Sequence, residues 1–344
     1  MGTWTGVGTS SDKILLRNNT GDGTFTRITE GELVTDFGHT RETQWADYDN
    51  DGDQDVIVLN QATSASVQRQ TRLYKNNGDG TFTRVLGSVF ESSIESDRSC
   101  SWGDYDNDGN LDIFITATNT NRLYRNLGDG TFTQVTGSVV EEDYTVTEGT
   151  FGSGWGDIDN DGDLDLFAMG INSILYYNNG NGTFTKYATQ ELFNAPSLTK
   201  LYGPALEDVD NDGFLDFHNG GFSNPDIANF IYRNTTPASA SRKYIKINLK
   251  GSITNRSAIG ARITLVAGGK TQIREVQSHT AQSTQSSPTQ HFGLGSASVV
   301  TSIVVNWPSG LTKTLTAVSV NQTITIVEDD TSSRNYFYSP CDTG

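Results

Sequence analysis

The stretch DYDNDGDQD at Asp47–Asp55 decides the fold, because variants of it occur three more times along the chain. The other copies are DYDNDGNLD at Asp104–Asp112, DIDNDGDLD at Asp157–Asp165 and DVDNDGFLD at Asp208–Asp216. Each copy carries aspartates at positions 1, 3, 5 and 9 and a glycine at position 6, which is the spacing of oxygen ligands for calcium on a tight turn. The copies begin 57, 53 and 51 residues apart, so the sequence predicts several calcium sites in a body built from repeated modules.

Two alternatives for this loop can be weighed from its flanks. An EF-hand needs a glutamate at position 12, where the four copies have Val58, Ile115, Ala168 and Asn219, and strand-like residues follow each copy. A plain polar turn would account for one copy, but not for four copies that share the same flanking aspartates. The sequence therefore predicts four metal loops placed between strands.

A second motif follows each loop and predicts short strands. Segments rich in β-branched and aromatic residues lead into turns such as NNGDGTF at residues 76–82, whose Gly and Asn content is typical of hairpins. A tryptophan stands two residues before each of the first three loops, at Trp45, Trp102 and Trp155, and we expect it to be a core wedge beside a close backbone contact. Each unit is therefore strand, loop, strand, strand, turn, strand, which predicts a four-stranded propeller blade.

The repeat series is incomplete at both ends. The fourth copy has Leu206 in place of the tryptophan and lacks the hairpin turn, so we expect a weaker fourth unit. Near the N-terminus, residues 14–29 have the pattern of the last hairpin of a blade without its own calcium loop. Such a half-blade is expected when strands from the other end of the chain close the ring.

The composition changes after Asn234, where a polar linker ends the loops and longer alternating strands begin. We expect calcium-binding blades over residues 1–234, a β module over 235–330 that completes the propeller, and a terminal tail over 331–344. We expect an all-β fold. At about 50 residues per blade, the length of the chain predicts a seven-bladed β-propeller that is closed between N- and C-terminal strands. The alternative is a smaller propeller with a separate C-terminal β-sandwich. The linker favours the sandwich, and the half-blade favours closure.

Composition argues against several classes of function. A net charge of −17 argues against nucleic acid as a partner. The sequence contains no run of 18 apolar residues, so we expect no membrane insertion. The two cysteines, Cys100 and Cys341, are too few for a disulfide scaffold, and the sequence leaves open whether they pair. The four histidines lie in no H-E-x-x-H motif and no serine lies in a GxSxG elbow, so we expect no enzyme.

Residues of the last third add a resemblance to a known family. The segments NRSAIGARITL (255–265), HFGLG (291–295) and VVNWPSG (304–310) resemble the ASPIC/UnbV module, and the loop-and-hairpin repeats resemble the FG-GAP/VCBS blades of integrin α-like propellers. In this order, over about residues 12–328, they resemble the cartilage acidic protein (CRTAC) family. Ser257 and Ala258 depart from the usual glycine of that module, and no cysteine-rich EGF-like module follows, so we expect a short, bacterial-type homologue.

The resemblance implies a calcium-ligand set in each loop. The side chains at positions 1, 3, 5 and 9 and the main-chain carbonyl at position 7 would bind one ion, which gives about four structural Ca²⁺ ions. The side-chain ligands would be Asp47, Asp49, Asp51, Asp55, Asp104, Asp106, Asp108, Asp112, Asp157, Asp159, Asp161, Asp165, Asp208, Asp210, Asp212 and Asp216. The carbonyl ligands would be Asp53, Asn110, Asp163 and Phe214.

The resemblance also implies a non-enzymatic, calcium-stabilised interaction or adhesion protein that is secreted or at the cell surface. An extracellular location agrees with the calcium range of about 10⁻⁴–10⁻³ M at which extracellular calcium modules work. We expect a monomer that binds a protein or glycan partner on a propeller face. Two alternatives stay open: a calcium-dependent lectin, and a propeller hydrolase or lyase, which fold alone does not exclude.

Overall fold

A computed structural model describes most of the chain. The described residues are 15–18, 24–36, 38–60, 70–92, 96–142, 149–170, 173–187, 202–219, 230–239, 241–280 and 284–329. Over these residues the protein is all-β, as predicted, and its helices are the single turns α1 (Glu32–Thr35), α2 (Val139–Glu142) and a 3₁₀ turn at Val89–Ser92. None of the helices in this part of the chain has the length and apolar character needed to cross a bilayer.

Three antiparallel four-stranded sheets follow one another over residues 40–186. Within each sheet the strands pair in sequence order, which is the connectivity of a propeller blade. The strands are β3 (Thr40–Ala46), β4 (Asp55–Asn60), β5 (Arg72–Asn76) and β6 (Phe82–Arg84); β7 (Asp97–Gly103), β8 (Asp112–Ala117), β9 (Arg122–Asn126) and β10 (Phe132–Val135); and β11 (Thr150–Gly156), β12 (Asp165–Gly170), β13 (Ile174–Asn178) and β14 (Phe184–Lys186). Each predicted loop connects the first and second strand of its sheet.

The two ends of the series are shorter, as the sequence predicts. The fourth unit has three strands in its described residues, and the N-terminal half-blade is a two-stranded hairpin. These strands are β15 (Ala205–Glu207), β16 (Asp216–Asn219) and β17 (Phe230–Tyr232), and β1 (Leu15–Asn18) and β2 (Phe25–Ile28). The weakened fourth copy therefore still places its loop between two paired strands, β15 and β16.

The first strands of neighbouring blades pack against one another, so β7 lies between β3 and β11, and β15 follows β11. Trp155 wedges into this contact, and its Nε1 donates to the carbonyl of Ser101 on the neighbouring strand at 3.1 Å. A Cβ at Gly103 would lie 2.8 Å from Trp155 Cδ1, so glycine is needed there for the blades to approach. For Trp155 this confirms the predicted pairing of a tryptophan wedge with a close backbone contact.

The strands after residue 241 form two sheets of their own. The first contains β18 (Lys243–Lys250), β21 (Gln290–Gly295) and β24 (Gln322–Val327), and the second contains β19 (Arg262–Ala267), β20 (Lys270–Glu275), β22 (Val299–Asn306) and β23 (Thr312–Ser319). Their inward residues, among them Ile247, Leu265 and Phe292, share one buried apolar core. This C-terminal sandwich is the arrangement of the alternative expectation.

Ring closure can be compared with the observed pairing. Within the described residues, no strand of the C-terminal sandwich pairs with β1 or β2, so closure by these strands and a count of seven blades remain predictions. Cys100 is a fully buried free thiol in β7, whereas its possible partner Cys341 and the tail 331–344 lie outside the described residues.

Candidate metal centres

The first loop shows how the DxDNDG sequence builds a cradle of oxygen atoms. Asp47 accepts hydrogen bonds from the backbone N–H of Asp51 at 3.0 Å and of Gly52 at 3.1 Å, which curls the loop around its own first side chain. Asn50 and Gly52 adopt positive φ angles of 62° and 94°, so a residue tolerant of the left-handed region is needed at positions 4 and 6. All four copies repeat this geometry.

The aspartate at position 9 ties each loop to the blade. Asp55 opens β4, accepts a hydrogen bond from the backbone N–H of Asn76 in β5 at 2.8 Å, and accepts another from that of Tyr48 at 3.3 Å. The equivalent residues Asp112, Asp165 and Asp216 make the same two contacts. One carboxylate therefore fixes the loop against two strands.

Carboxylate oxygens converge in every loop. One oxygen from each of three aspartates lies within 4.8 Å of the other two, in the groups Asp47, Asp49 and Asp55; Asp104, Asp106 and Asp108; Asp157, Asp159 and Asp165; and Asp208, Asp210 and Asp216. The Oδ1 atom of Asp49 is buried without a hydrogen-bond partner. An all-oxygen donor set of this kind suits a hard cation such as Ca²⁺, so the residues present fit the predicted metal.

The electrostatics of the loops also fit a bound cation. Burial raises the pKa of Asp55 to about 8, and the charge of Asp49 adds to the rise. Burial and then the charge of Asp161 raise the pKa of Asp157 to about 8, and burial and then Asp159 raise that of Asp161 to about 6. These groups resist ionising together, and a divalent cation would offset their repulsion.

The predicted ligands are not all gathered equally. The aspartates at positions 1 and 3 belong to the close group in every loop. The third member of the group is the position-9 aspartate in the first, third and fourth loops and the position-5 aspartate in the second loop. The remaining side-chain ligands, Asp51, Asp112, Asp161 and Asp212, lie in the same loops but outside the close groups. The carbonyl ligands Asp53, Asn110, Asp163 and Phe214 remain a prediction.

Two sets of asparagines escaped the sequence analysis although both recur in register. The staple asparagine lies at or just after the end of the third strand, and in the second, third and fourth units it reaches back to the previous loop; Asn178 Nδ2, for example, donates to the Tyr105 carbonyl at 2.7 Å. Asn126 and Asn234 do the same to the Tyr48 and Ile158 carbonyls. The position-4 asparagines reach forward, as Asn160 does to the Gly213 carbonyl at 2.9 Å. The available signals were the fixed place of the position-4 asparagine within each loop and the recurring Tyr-x-Asn pattern at residues 74–76, 124–126, 176–178 and 232–234.

The C-terminal sandwich docks on the face that carries the loops. Its side chains supply basic groups to them: Arg262 Nη2 donates to the Gly109 carbonyl at 2.5 Å, Lys270 Nζ lies 2.8 Å from Asp163 Oδ2, and Lys246 Nζ lies 2.6 Å from Asp208 Oδ2. Its Ile273 packs into the apolar core formed by β3, β4, β7 and β8. In β18 the apolar face carries buried Ile245 and Ile247, and Lys246 on the opposite face is also buried, against Asp208 of the fourth loop.

Polar and backbone contacts complete this interface. Glu275 accepts hydrogen bonds from the Asp47 N–H at 3.3 Å and from Gln54 Nε2 at 3.0 Å. His291 Nε2 donates to the Gly213 carbonyl at 3.1 Å, and burial lowers the pKa of this imidazole to about 4, so it packs as a neutral structural group. A Cβ at Gly293 would lie 2.0 Å from Asp157 Oδ2, so β21 touches the third loop directly.

Two protein-family models match the chain. An FG-GAP-like repeat matches residues 6–58, 62–115 and 104–168, and the model named ASPIC and UnbV matches residues 251–333. The chain therefore carries FG-GAP-like repeats followed by an ASPIC/UnbV domain, which confirms the module composition expected from its sequence.

Solved structures give weaker likenesses. The chain is similar to an Agrocybe aegerita lectin that recognises non-reducing terminal N-acetylglucosamine, with 15% identity over 90% of this chain and 81% of that one and a TM-score of 0.42. It is also similar to the Photorhabdus luminescens Tc holotoxin pore (15% identity, 88% and 15% coverage, TM-score 0.39) and to the V. cholerae biofilm matrix protein Bap1 (14%, 89% and 59%, 0.32). Scores this low do not establish a common fold, and the comparison with curated proteins finds no significant match.

Proposed function

We propose that the protein is a non-catalytic binding protein whose blades and C-terminal sandwich are held together by about four Ca²⁺ ions. One observation carries this proposal: four loops each gather aspartate oxygens within 4.8 Å of one another between two paired strands. The FG-GAP-like repeats support it, and the order of modules supports membership of the CRTAC family.

The role of calcium is structural because the loops that would bind it also hold strands, blades and the C-terminal sandwich together. Position 9 joins two strands, the staple asparagine joins neighbouring blades, and the sandwich rests on the loop face. The carboxylates act as ionised ligands in this role and supply no proton donor for acid–base chemistry. A location outside the cytosol follows, where calcium is abundant enough to fill such sites.

The partner is a protein or a glycan that binds to a surface other than the covered part of the loop face. Because Lys246, Lys270 and Arg262 already contact the loops, a sugar coordinated directly to these ions, as in a calcium-dependent lectin, is the less favoured mode.

Calcium titration of metal-free protein tests the structural role. The variant Asp55→Asn removes one ligand charge, and we expect it to lose one bound ion and lower the unfolding temperature. The matched control is Asp79→Asn in the exposed NNGDGTF turn, since the equivalent turn of the third blade carries Asn181 naturally. Equal calcium binding by both variants would contradict the proposal. Binding of the full chain to a glycan array and to extracellular matrix proteins, with and without EDTA, then tests the partner class.

A further inference from the structure

The four loops differ in the residue that the third strand of each blade sets beside them. We call this the flanking position; it directly precedes the staple asparagine. It holds Lys75 in β5, Arg125 in β9, Tyr177 in β13 and Arg233 directly after β17. The strand registers place Lys75, Arg125 and Tyr177 opposite equivalent threonines of the next strand, so these positions correspond in space as well as in sequence.

Where the flanking position holds a cation, the cation contacts two predicted calcium ligands. Lys75 Nζ bonds Asp49 and lies 3.1 Å from Asp51 Oδ2. The equivalent pairs are Arg125 with Asp106 at 2.6 Å and Asp108 at 2.9 Å, and Arg233 with Asp210 and, at 3.9 Å, Asp212. The aspartates at positions 3 and 5 of these loops are therefore bridged by a positive side chain of their own blade.

The fourth loop has a second cation. Lys246 of the sandwich contacts Asp208, the ligand at position 1, at 2.6 Å, and also Asn211 Oδ1 at 3.0 Å. Both Lys246 and Asp208 are buried, so this ion pair is little screened by solvent. Three of the four predicted side-chain ligands of this loop therefore face a cation.

The third loop is different. Tyr177 packs edge-on against Tyr187, with ring centroids 5.4 Å apart. Over the part of the chain that the structure describes, no lysine or arginine forms an ion pair with the four predicted side-chain ligands Asp157, Asp159, Asp161 and Asp165. Lys270 contacts the Asp163 carboxylate and the Asp161 carbonyl, oxygens outside the predicted ligand set, and its charge reaches the Asp161 carboxylate only through space. Arg274 acts through space on both Asp104 and Asp157, so it does not separate the second loop from the third.

We infer that the four sites have a fixed order of calcium affinity: the third loop binds most tightly, the first and second less tightly, and the fourth most weakly. The flanking residue and, in the fourth loop, Lys246 set this order, because a cation contacts predicted side-chain ligands in the first, second and fourth loops but, among the described residues, not in the third loop. The inference rests on the proposed function and deepens it. It assigns Lys75, Arg125, Tyr177 and Arg233 a role in tuning metal affinity.

Coulomb's law gives the expected size of the effect of a flanking cation on calcium affinity. A monovalent side chain a few ångströms from a divalent ion in a largely solvated site changes the calcium affinity by roughly three- to tenfold, and less at high salt. The flanking cations are exposed enough to be replaced without unfolding, since 42%, 45% and 65% of the Lys75, Arg125 and Arg233 side chains are accessible. Lys75→Gln and Tyr177→Arg are therefore an opposed pair of test variants.

The experiment is a calorimetric titration of metal-free full-length protein with CaCl₂, with native mass spectrometry to count ions at each step. Asp165→Asn identifies the third loop, and we expect it to remove the first and tightest binding step. Lys75→Gln should strengthen one of the weaker steps about three- to tenfold, and Tyr177→Arg should weaken the tightest step by a similar factor. Lys250→Gln, an exposed charge change at the end of β18, is the matched control and should alter no step.

The outcomes separate this inference from the proposed function. Loss of the tightest step in Asp165→Asn, together with its weakening by about three- to tenfold in Tyr177→Arg, supports the ranking. Four equivalent steps, or unchanged affinities in Lys75→Gln and Tyr177→Arg, would overturn the inference while leaving calcium binding intact. Absence of any calcium binding by the wild-type chain would overturn the proposed function itself.

Discussion

Lys246 Nζ lies 2.6 Å from Asp208 Oδ2, and this ion pair links the C-terminal sandwich to the first residue of the fourth loop. The two side chains are 6% and 0% accessible, so each depends on the other for charge compensation. The contact is one of a series along the loop face, with Arg262 at the second loop and Lys270 at the third. The four predicted metal loops therefore form the surface against which the C-terminal sandwich packs.

Replacing Lys246 by methionine tests this contact between the C-terminal sandwich and the fourth loop. In EDTA the change leaves the buried Asp208 carboxylate without its ion-pair partner, and we expect a loss of about 3–5 kcal/mol in the free energy of unfolding. In saturating Ca²⁺ the loss should be smaller, because the ion compensates Asp208. Urea unfolding in both buffers gives the two values, and Lys250→Met serves as the exposed control. An equal loss with and without calcium would contradict the link between the sandwich and the loop.

Gly293→Ala tests the direct contact of β21 with the third loop. Its Cβ would lie 2.0 Å from Asp157 Oδ2 and 2.5 Å from Asn160 Cα, so the strand must move away from the loop. We expect weaker calcium binding and faster proteolysis of the linker around residues 235–243. Gly269→Ala is the control: its Cβ meets nothing within 4 Å, and only the positive φ of 82° costs about 1–2 kcal/mol. Identical behaviour of the two variants would argue against a tight interface.

Asn178→Ala tests the staple between neighbouring blades. The change removes the donor to the buried Tyr105 and Leu164 carbonyls, at 2.7 and 3.1 Å. We expect the free energy of unfolding to fall by about 1–3 kcal/mol. The neighbouring Asn179 donates to Thr183 and accepts from Thr185 in the exposed turn, so its replacement by alanine is a matched control with an expected change of about 1 kcal/mol or less. Chemical denaturation of both variants in calcium makes the comparison, and similar losses would refute the staple.

Glu328 makes stability depend on acid pH independently of the metal loops. Burial alone would raise its pKa, but the Ser309 hydroxyl and the backbone N–H groups of residues 252–254 outweigh burial and lower the pKa to about 2. Because the folded-state pKa lies below the ordinary 4.5, the stabilisation is complete above pH 4.5 and is lost as the pH falls towards 2.

Glu328→Gln should therefore lower the free energy of unfolding near pH 7 by about 1.5–3 kcal/mol, and the difference from wild type should shrink below pH 4.5. Unfolding curves at pH 7, 4 and 2.5 measure this trend. Asp329→Asn is the neighbouring control, since its partly exposed pair with Lys313 is worth about 1 kcal/mol or less. A difference that grows on acidification would show that the sign is wrong.

Local pattern was sufficient to predict the loops and blades. A loop such as Asp157–Asp165 encodes its own turn through positive-φ residues and side chain to backbone bonds only four or five residues apart. The flanking strands follow from alternation and hairpin sequence, so the repeat was visible without any long-range information.

Contacts between distant segments could not be predicted in this way. Glu275 meets Asp47 across 228 residues, and the polar side of Lys243–Lys250 looks like a solvent-facing strand until the fourth loop is placed against it. The sequence also left the sandwich as the alternative to ring closure, because strand pattern predicts that strands exist but not which strands they pair with. The staple asparagines had a visible period but no local reason to be singled out.

Thermal unfolding of the intact chain in excess Ca²⁺ and in EDTA, with bound ions counted by native mass spectrometry, tests the central claim most directly. Mass action couples stability to every ion bound only in the folded state, and four filled loops predict a large drop in unfolding temperature on chelation. The account predicts four ions per chain in calcium and a loss of about 20 °C or more in EDTA, since about 1 kcal/mol shifts the midpoint of a domain by a few degrees. An unchanged unfolding temperature, or a chain that carries no calcium, would contradict it.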